Sequence, residues 1–166
     1  MINIIMIEFL RVTKPYKRLN YTIKNVQLCS MSKKNKIREP KHWLVFANAS
    51  RCNHYASLKE AGFISWKRER NNFAIGDIVY VFSSMERKII YKTEVVAEEL
   101  RADGNYWIET PPIHMTWRLK AIEEYTGEKL DESILKLHGF KGTKSLQHPM
   151  CNNPELFAYI ESKFEK

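Results

Sequence analysis

Gly76-Asp77-Ile78-Val79-Tyr80-Val81-Phe82, followed after a short polar connection by a second apolar run over residues 89–96, decides the fold. Ile, Val, Tyr and Phe crowd a pleated surface well and lose little there, so five in succession read as a buried strand. Gly76-Asp77 supplies the tight turn that launches it, and residues 83–88 read as the hairpin connection to its partner. A lone hairpin is marginal in water, so the flanking sequence must supply the other strands.

Upstream, Trp43-Leu-Val-Phe-Ala47 is a short apolar run suited to a first strand, residues 54–61 a helix stopped by Gly62, and residues 63–66 an extended piece. Downstream, further strands are expected at 106–108 and at 114–122. In the latter, Met115, Trp117 and Leu119 alternate with Thr116, Arg118 and Lys120, giving one buried and one wet face. Residues 131–137 read as a helix ended by Gly139, and residues 155–164 as a C-terminal helix capped by Asn153, with Pro154 at its first position. This order suits an α/β chain of the α+β kind, a mixed sheet curled into a partial barrel with flanking helices, better than a parallel doubly wound sheet.

The chain of 166 residues is long enough for one domain with its own core. Its net charge of +8 is unevenly placed. Residues 1–42 hold 10 Lys/Arg against Glu8 and Glu39, and the remaining residues hold 17 basic and 17 acidic side chains. Residues 1–42 are therefore read as a basic mobile arm and residues 43–166 as a neutral folded body. Met31-Ser-Lys-Lys-Asn-Lys would make a natural start, which would leave residues 1–30 as an upstream extension. The opening apolar run, interrupted by Asn3 and Glu8, is too short to span a bilayer and lacks the parts of a signal peptide, so a cytoplasmic location without membrane contact is expected. Cys29, Cys52 and Cys151 show no CxxC spacing and read as reduced thiols.

Catalytic signatures are missing from the sequence: it carries no nucleophile elbow, phosphate-binding loop, zinc-protease motif or dinucleotide fingerprint. His42, His54, His114, His138 and His148 are scattered, so neither metal nor cofactor is implied. The adjacent pairs Glu98-Glu99 and Glu123-Glu124 read as solvated faces. Two places suggest binding instead. Trp66, at the edge of a polar basic loop, is either a plug for the barrel end or a stacking wall. Gly139-Phe-Lys-Gly-Thr-Lys-Ser145 offers backbone N–H groups and two lysines without an acid, as a connector or a phosphate contact.

Trp43-Leu-Val-Phe-Ala-Asn48, Gly62-Phe-Ile-Ser-Trp66, Asn71-Asn-Phe-Ala-Ile-Gly-Asp-Ile-Val-Tyr80 and Ile90-Tyr-Lys-Thr-Glu-Val95, in that order, resemble the EVE domain family. The resemblance covers residues 43–164. It departs at Leu146-Gln-His-Pro149, where relatives often carry a Pro-Arg pair. It implies a PUA-like fold and a modified-base pocket arranged as in YTH and SRA readers. Carried over by motif, that pocket draws on Asn48, Ser50, Trp66, Ser83 and Ser84, with Arg68, Arg70, Lys141 and Lys144 as contacts to the nucleic-acid backbone. The expectation is a monomeric, non-catalytic reader that binds a flipped modified base, modified cytosine in DNA before all, for a restriction or defence system whose nuclease is a separate subunit. Modified tRNA or rRNA is the alternative ligand, and a small nucleotide-acting enzyme the alternative class.

Overall fold

A computed structural model describes residues 38–69, 71–142 and 152–164, all within the unit Arg38–Lys166. The elements are β1 (His42–Ala47), α1 (His54–Ala56) running into a π-helical turn (Ser57–Ala61), β2 (Phe63–Lys67), β3 (Ile78–Ser83) and β4 (Lys88–Leu100). A 3-10 turn (Gly104–Tyr106), β5 (Met115–Glu124), α2 (Glu132–Leu137) and α3 (Pro154–Glu161) complete the order. The five strands form one mixed sheet in the order β1-β3-β4-β5-β2, curled into a half-barrel, so the fold is α+β with a partial barrel. β1 and β3 are parallel, and every other pair is antiparallel.

Alternation along β1 and β3 divides the apolar side chains between two cores. Trp43, Val45, Val79 and Val81 point into the half-barrel, where they meet Ile64, Trp117 and Leu119. Leu44, Tyr80 and Phe82 point outward and are covered by Leu135 of α2, Phe140, and Leu156 and Ile160 of α3. α3 begins where the sequence places it: the Asn153 side chain accepts from Leu156 N–H, with Pro154 behind it. The chain between β1 and β2 crosses the open side of the half-barrel, and Leu58 on the π-turn drops into the inner core.

A parallel pair has no hairpin to fix its register. Here Asp77 does that work. Its buried carboxylate accepts from the Arg38 guanidinium, Lys41 N–H (2.9 Å), the Trp43 indole N–H (2.8 Å) and Ala74 N–H (2.9 Å). Burial alone would raise its pKa, but the four donors outweigh burial and hold it below the usual carboxylate range. Arg38 and Lys41, which the sequence places in the basic arm, are thus tied to the body; residues 1–37 lie outside the described residues.

Three sequence expectations change. Residues 106–108 form no strand: the 3-10 turn ends at Tyr106, and Trp107 makes a single bridge to Cys52, because the segment packs across a loop and not along a sheet edge. Thr116, expected on the wet face, is fully buried and donates its hydroxyl to Glu99 C=O at 3.0 Å. β5 also does not keep one alternation throughout. Opposite Lys92 and Thr93 its register slips, leaving Ile122 without a partner, and Glu124 instead of Glu123 then shares the inner face with Leu119 and Ala121.

Asp77→Ala leaves a guanidinium and three N–H groups without their acceptor, and should cost about 3 kcal/mol or more in urea unfolding. Because the folded-state pKa of Asp77 is lowered, its contribution is present above about pH 4 and is lost as pH falls through the folded value. Asp77→Asn should therefore flatten that acid limb of the stability curve.

Candidate functional site

The carboxyl ends of β1 and β3 lie side by side, with Ala47 opposite Ser83. From there the chain leaves in opposite senses, from β1 across the open side to α1 and from β3 into the β4 hairpin. Diverging connections after adjacent parallel strands leave a crevice between them by topology, similar to the switch points at which open α/β sheets take ligands. Two hydrogen bonds hold the crevice walls together: Ala49 N–H donates to Ser84 Oγ (2.9 Å) and Ser84 N–H to Ala47 C=O (3.0 Å).

Four of the five expected pocket residues meet at this crevice. Asn48 Oδ1 accepts from both Ser50 N–H (3.0 Å) and Ser50 Oγ–H (2.9 Å), forming an Asx-type turn that leaves the Asn48 amide N–H donors facing outward from that bond. Ser84 Oγ accepts from Ala49, so its own O–H remains a donor. Ser83 is committed within its turn: it donates to the Glu86 carboxylate and accepts from Met85 N–H. It shapes the wall more than it offers a contact.

Trp66 lies on the opposite edge strand, where its ring meets His54 at 5.6 Å and packs in part against the inner core. The loop at 48–53 links the two places. Its turn at Asn48, closed by Arg51 N–H to Asn48 C=O (3.1 Å), keeps those Cα atoms within about 7 Å. Three further residues to His54 add at most about 10 Å. The chain therefore bounds the Asn48–His54 Cα separation at about 17 Å, while in register Trp66 pairs with Trp117 opposite Glu98 and so stands toward the other end of the sheet from Ser83, which pairs with Lys88. His54 opens α1, whose N-cap is Asn53, and follows closely on the buried Cys52, which bridges to the half-buried Trp107, itself bonded to the buried Asp103. Asp103 accepts from Ser65 N–H (2.9 Å) and the Trp107 indole (2.9 Å), which fixes the β2 edge beneath Trp66.

Burial dominates the titration here. It pulls the His54 pKa down to about 4 against the opposing charge of Asp103 and a bond to the Cys52 backbone. It pushes the Cys52 thiol up to about 12, with Asp103 adding to the effect. A neutral imidazole beside an indole and a permanently protonated thiol suit a hydrophobic stacking edge and not a nucleophile. Among the described residues no group of three or more His, Cys, Asp or Glu side chains could hold a metal.

The sequence reading missed one group. Tyr55, next to His54, donates its hydroxyl to Glu124 Oε1 at 2.8 Å, and Tyr91 pairs with Glu124 across the sheet, its ring 6.1 Å from that of Tyr55. Burial, followed by the nearby Glu124 as acceptor and charge, raises the Tyr91 pKa. Tyr91 pairs with Val81, two residues before Ser83 on the inner face, so this group lies toward the same end of the sheet as the 83–84 loop. The Glu123-Glu124 pair looked like a solvated face because nothing in the sequence marks the slip at Ile122.

The basic residues divide. Arg68 is ion-paired to Glu98 at 2.9 Å, which offsets the charge it would bring to a phosphate. Lys141 is exposed beside Phe140, which packs on Phe82 at 5.4 Å, and so stands at the crevice end of the sheet. Arg70 and Lys144 lie outside the described residues. A separate open groove of about 690 Å³ runs beyond Trp66, between residues 67–69, Leu100 and residues 112–115, with Leu100 and Ile113 well exposed.

The sequence matches no protein-family model and no curated protein. Two solved structures are similar to the chain. One is the crystal structure of protein Atu2648 from Agrobacterium tumefaciens, with 16% identity, 64% of this chain and 77% of that chain covered, and a TM-score of 0.43. The other is the NMR structure of Rpa0253 from Rhodopseudomonas palustris, with 17% identity, 60% and 72% covered, and a TM-score of 0.42.

Because the His54 pKa is depressed on folding, the protein should keep full stability above about pH 6.5 and lose up to about 3 kcal/mol as pH falls towards 4. Urea unfolding between pH 4 and 7 measures this, and His54→Gln should remove most of that slope.

Proposed function

We propose that this chain is an EVE-type reader of modified nucleic acid, binding a base turned out of its stack at the crevice between the β1 and β3 ends. The observation that carries the reading is the stapled pair of polar loops at 48–50 and 83–84 at the ends of the parallel strands. A flipped base must be stacked and hydrogen-bonded to repay the few kcal/mol of unstacking. The Asn48 amide and Ser84 hydroxyl offer donors to the base edge, and Trp66 with His54 offers a stacking surface for another base of the same strand. Lys141 supplies charge for a flanking phosphate. Receiving a base on the ring face that His54 approaches requires the imidazole to move aside, and a neutral His54 does so without breaking an ion pair.

The ligand on this reading is modified cytosine in DNA, and the reader acts in the cytoplasm as a monomer without catalysis of its own, serving a nuclease on another chain. Among the described residues no helix is long and apolar enough to cross a membrane. The balanced charge of residues 43–166 supports recognition through a pocket over recognition through bulk charge.

Fluorescence polarisation of the full chain against matched DNA and RNA oligonucleotides tests this. Each would be unmodified or carry 5-methylcytosine, 5-hydroxymethylcytosine or N6-methyladenine, at two salt concentrations. One modified DNA should bind more tightly than its unmodified match, and Trp66→Ala should weaken it about ten-fold or more. A preference for a modified RNA would move the ligand to RNA. Equal, salt-sensitive binding of every oligonucleotide would contradict the pocket.

A further inference from the structure

The register slip in β5 has a chemical result. Ile122 is left over between the pairs Thr93 with Ala121 and Lys92 with Glu123, and the extra residue turns Glu124 to the inner face. Bulges near binding sites characteristically re-aim a side chain in this way. Had the alternation of Trp117, Leu119 and Ala121 continued, Glu124 would face solvent and Glu123 the barrel. Glu124 is instead half-buried on the inner face, accepts from the Tyr55 hydroxyl at 2.8 Å and pairs across the sheet with Tyr91, whose ring lies 6.1 Å from that of Tyr55. Lys59 Nζ lies 3.1 Å from the Tyr55 hydroxyl and 5.2 Å from its ring, so the clamp is braced from the helix side as well.

A carboxylate has about four acceptor positions and no donor. The Tyr55 bond fixes its orientation, with the Tyr91 ring beside it, and leaves acceptor capacity for a further donor. The base-edge groups already described, the Asn48 amide N–H and the Ser84 O–H, are donors. On the base-pocket reading, the loops at 48–50 and 83–84 supply donors and β5 supplies one oriented acceptor.

Resting on the reading of the crevice as a base pocket, we infer that Glu124 is the specificity-determining residue that accepts a hydrogen bond from an exocyclic amino group, so the pocket takes cytosine- or adenine-type bases and rejects those with a carbonyl there. A carboxylate facing the C4 amino group of cytosine gains a charge-assisted hydrogen bond. Facing the carbonyl of thymine it meets a second acceptor, and both groups stay buried and unpaired. The modification itself sits elsewhere on the ring or keeps one N–H, so it is compatible with this contact.

The test uses pairs that differ only at that atom. Single-stranded oligonucleotides carrying 5-methylcytosine or thymine at one position, and N6-methyladenine or hypoxanthine at the same position, are titrated by fluorescence polarisation against the full chain, Glu124→Gln and Tyr55→Phe. Thermal melting of each variant is measured alongside. The wild type should favour the amino-bearing member of at least one pair about ten-fold or more. Glu124→Gln, whose amide offers both a donor and an acceptor, should bring that ratio close to one, and Tyr55→Phe should give an intermediate ratio. An unchanged ratio in a folded Glu124→Gln variant, or no amino preference in a wild type that still recognises modification, would overturn the inference while leaving the reader standing. Loss of all modification-dependent binding in the wild type would overturn both.

Discussion

The arrangement depends on one buried carboxylate. Asp77 gathers Arg38, the backbone before β1, the Trp43 indole and the turn before β3 onto two oxygens, and so fixes the start of both parallel strands. Strands of equal length that start together also end together: β1 and β3 are each 6 residues long, and Ala47 comes out beside Ser83. The crevice at the far end is thus positioned by a clamp near the turn at Gly76, which adopts φ +89°, a region where a side chain is strained. Gly76 N–H bonds Val95 C=O and Val95 N–H bonds Asp77 C=O, which extends the same clamp into β4.

The two cores divide the structural work. The outer one, built on Tyr80 and Phe82 under α2 and α3, closes the back of the sheet. The inner one fills the half-barrel up to Ala47, Val81 and Tyr91 and stops there. Beyond it the side chains turn polar, with Ser83, Glu124 and the loop at 48–50. Because the rigid sheet supports these groups, short loops can hold donors and acceptors in place, which a base pocket needs if its selectivity is to exceed its cost of ordering.

Much of this was legible in the sequence where local chemistry is strong. The β3–β4 hairpin followed from its β-branched and aromatic run, and the start of α3 from Asn153 and Pro154. The adjacency of the 48–50 and 83–84 loops came only through the family resemblance, since no local signal records that β1 pairs with β3. Glu124 was misread because one unpaired residue, Ile122, reverses the alternation that the preceding six residues display. The 106–108 segment looked like a strand by composition, yet its aromatic residues serve Asp103 and Cys52 across a loop. Long-range partners decide such cases, and pattern alone does not contain them.

The central claim is that ligand contact falls at the β1 and β3 ends, and amide chemical-shift mapping tests it most directly. Isotope-labelled protein is titrated with an oligonucleotide carrying a single 5-methylcytosine, with the unmodified oligonucleotide as reference. The account predicts that the shifts specific to the modified strand cluster at residues 48–55, 83–86 and 124, with the Trp66 indole among them. Modification-specific shifts confined to the groove at 67–69 and 112–115, with the crevice silent, would contradict it.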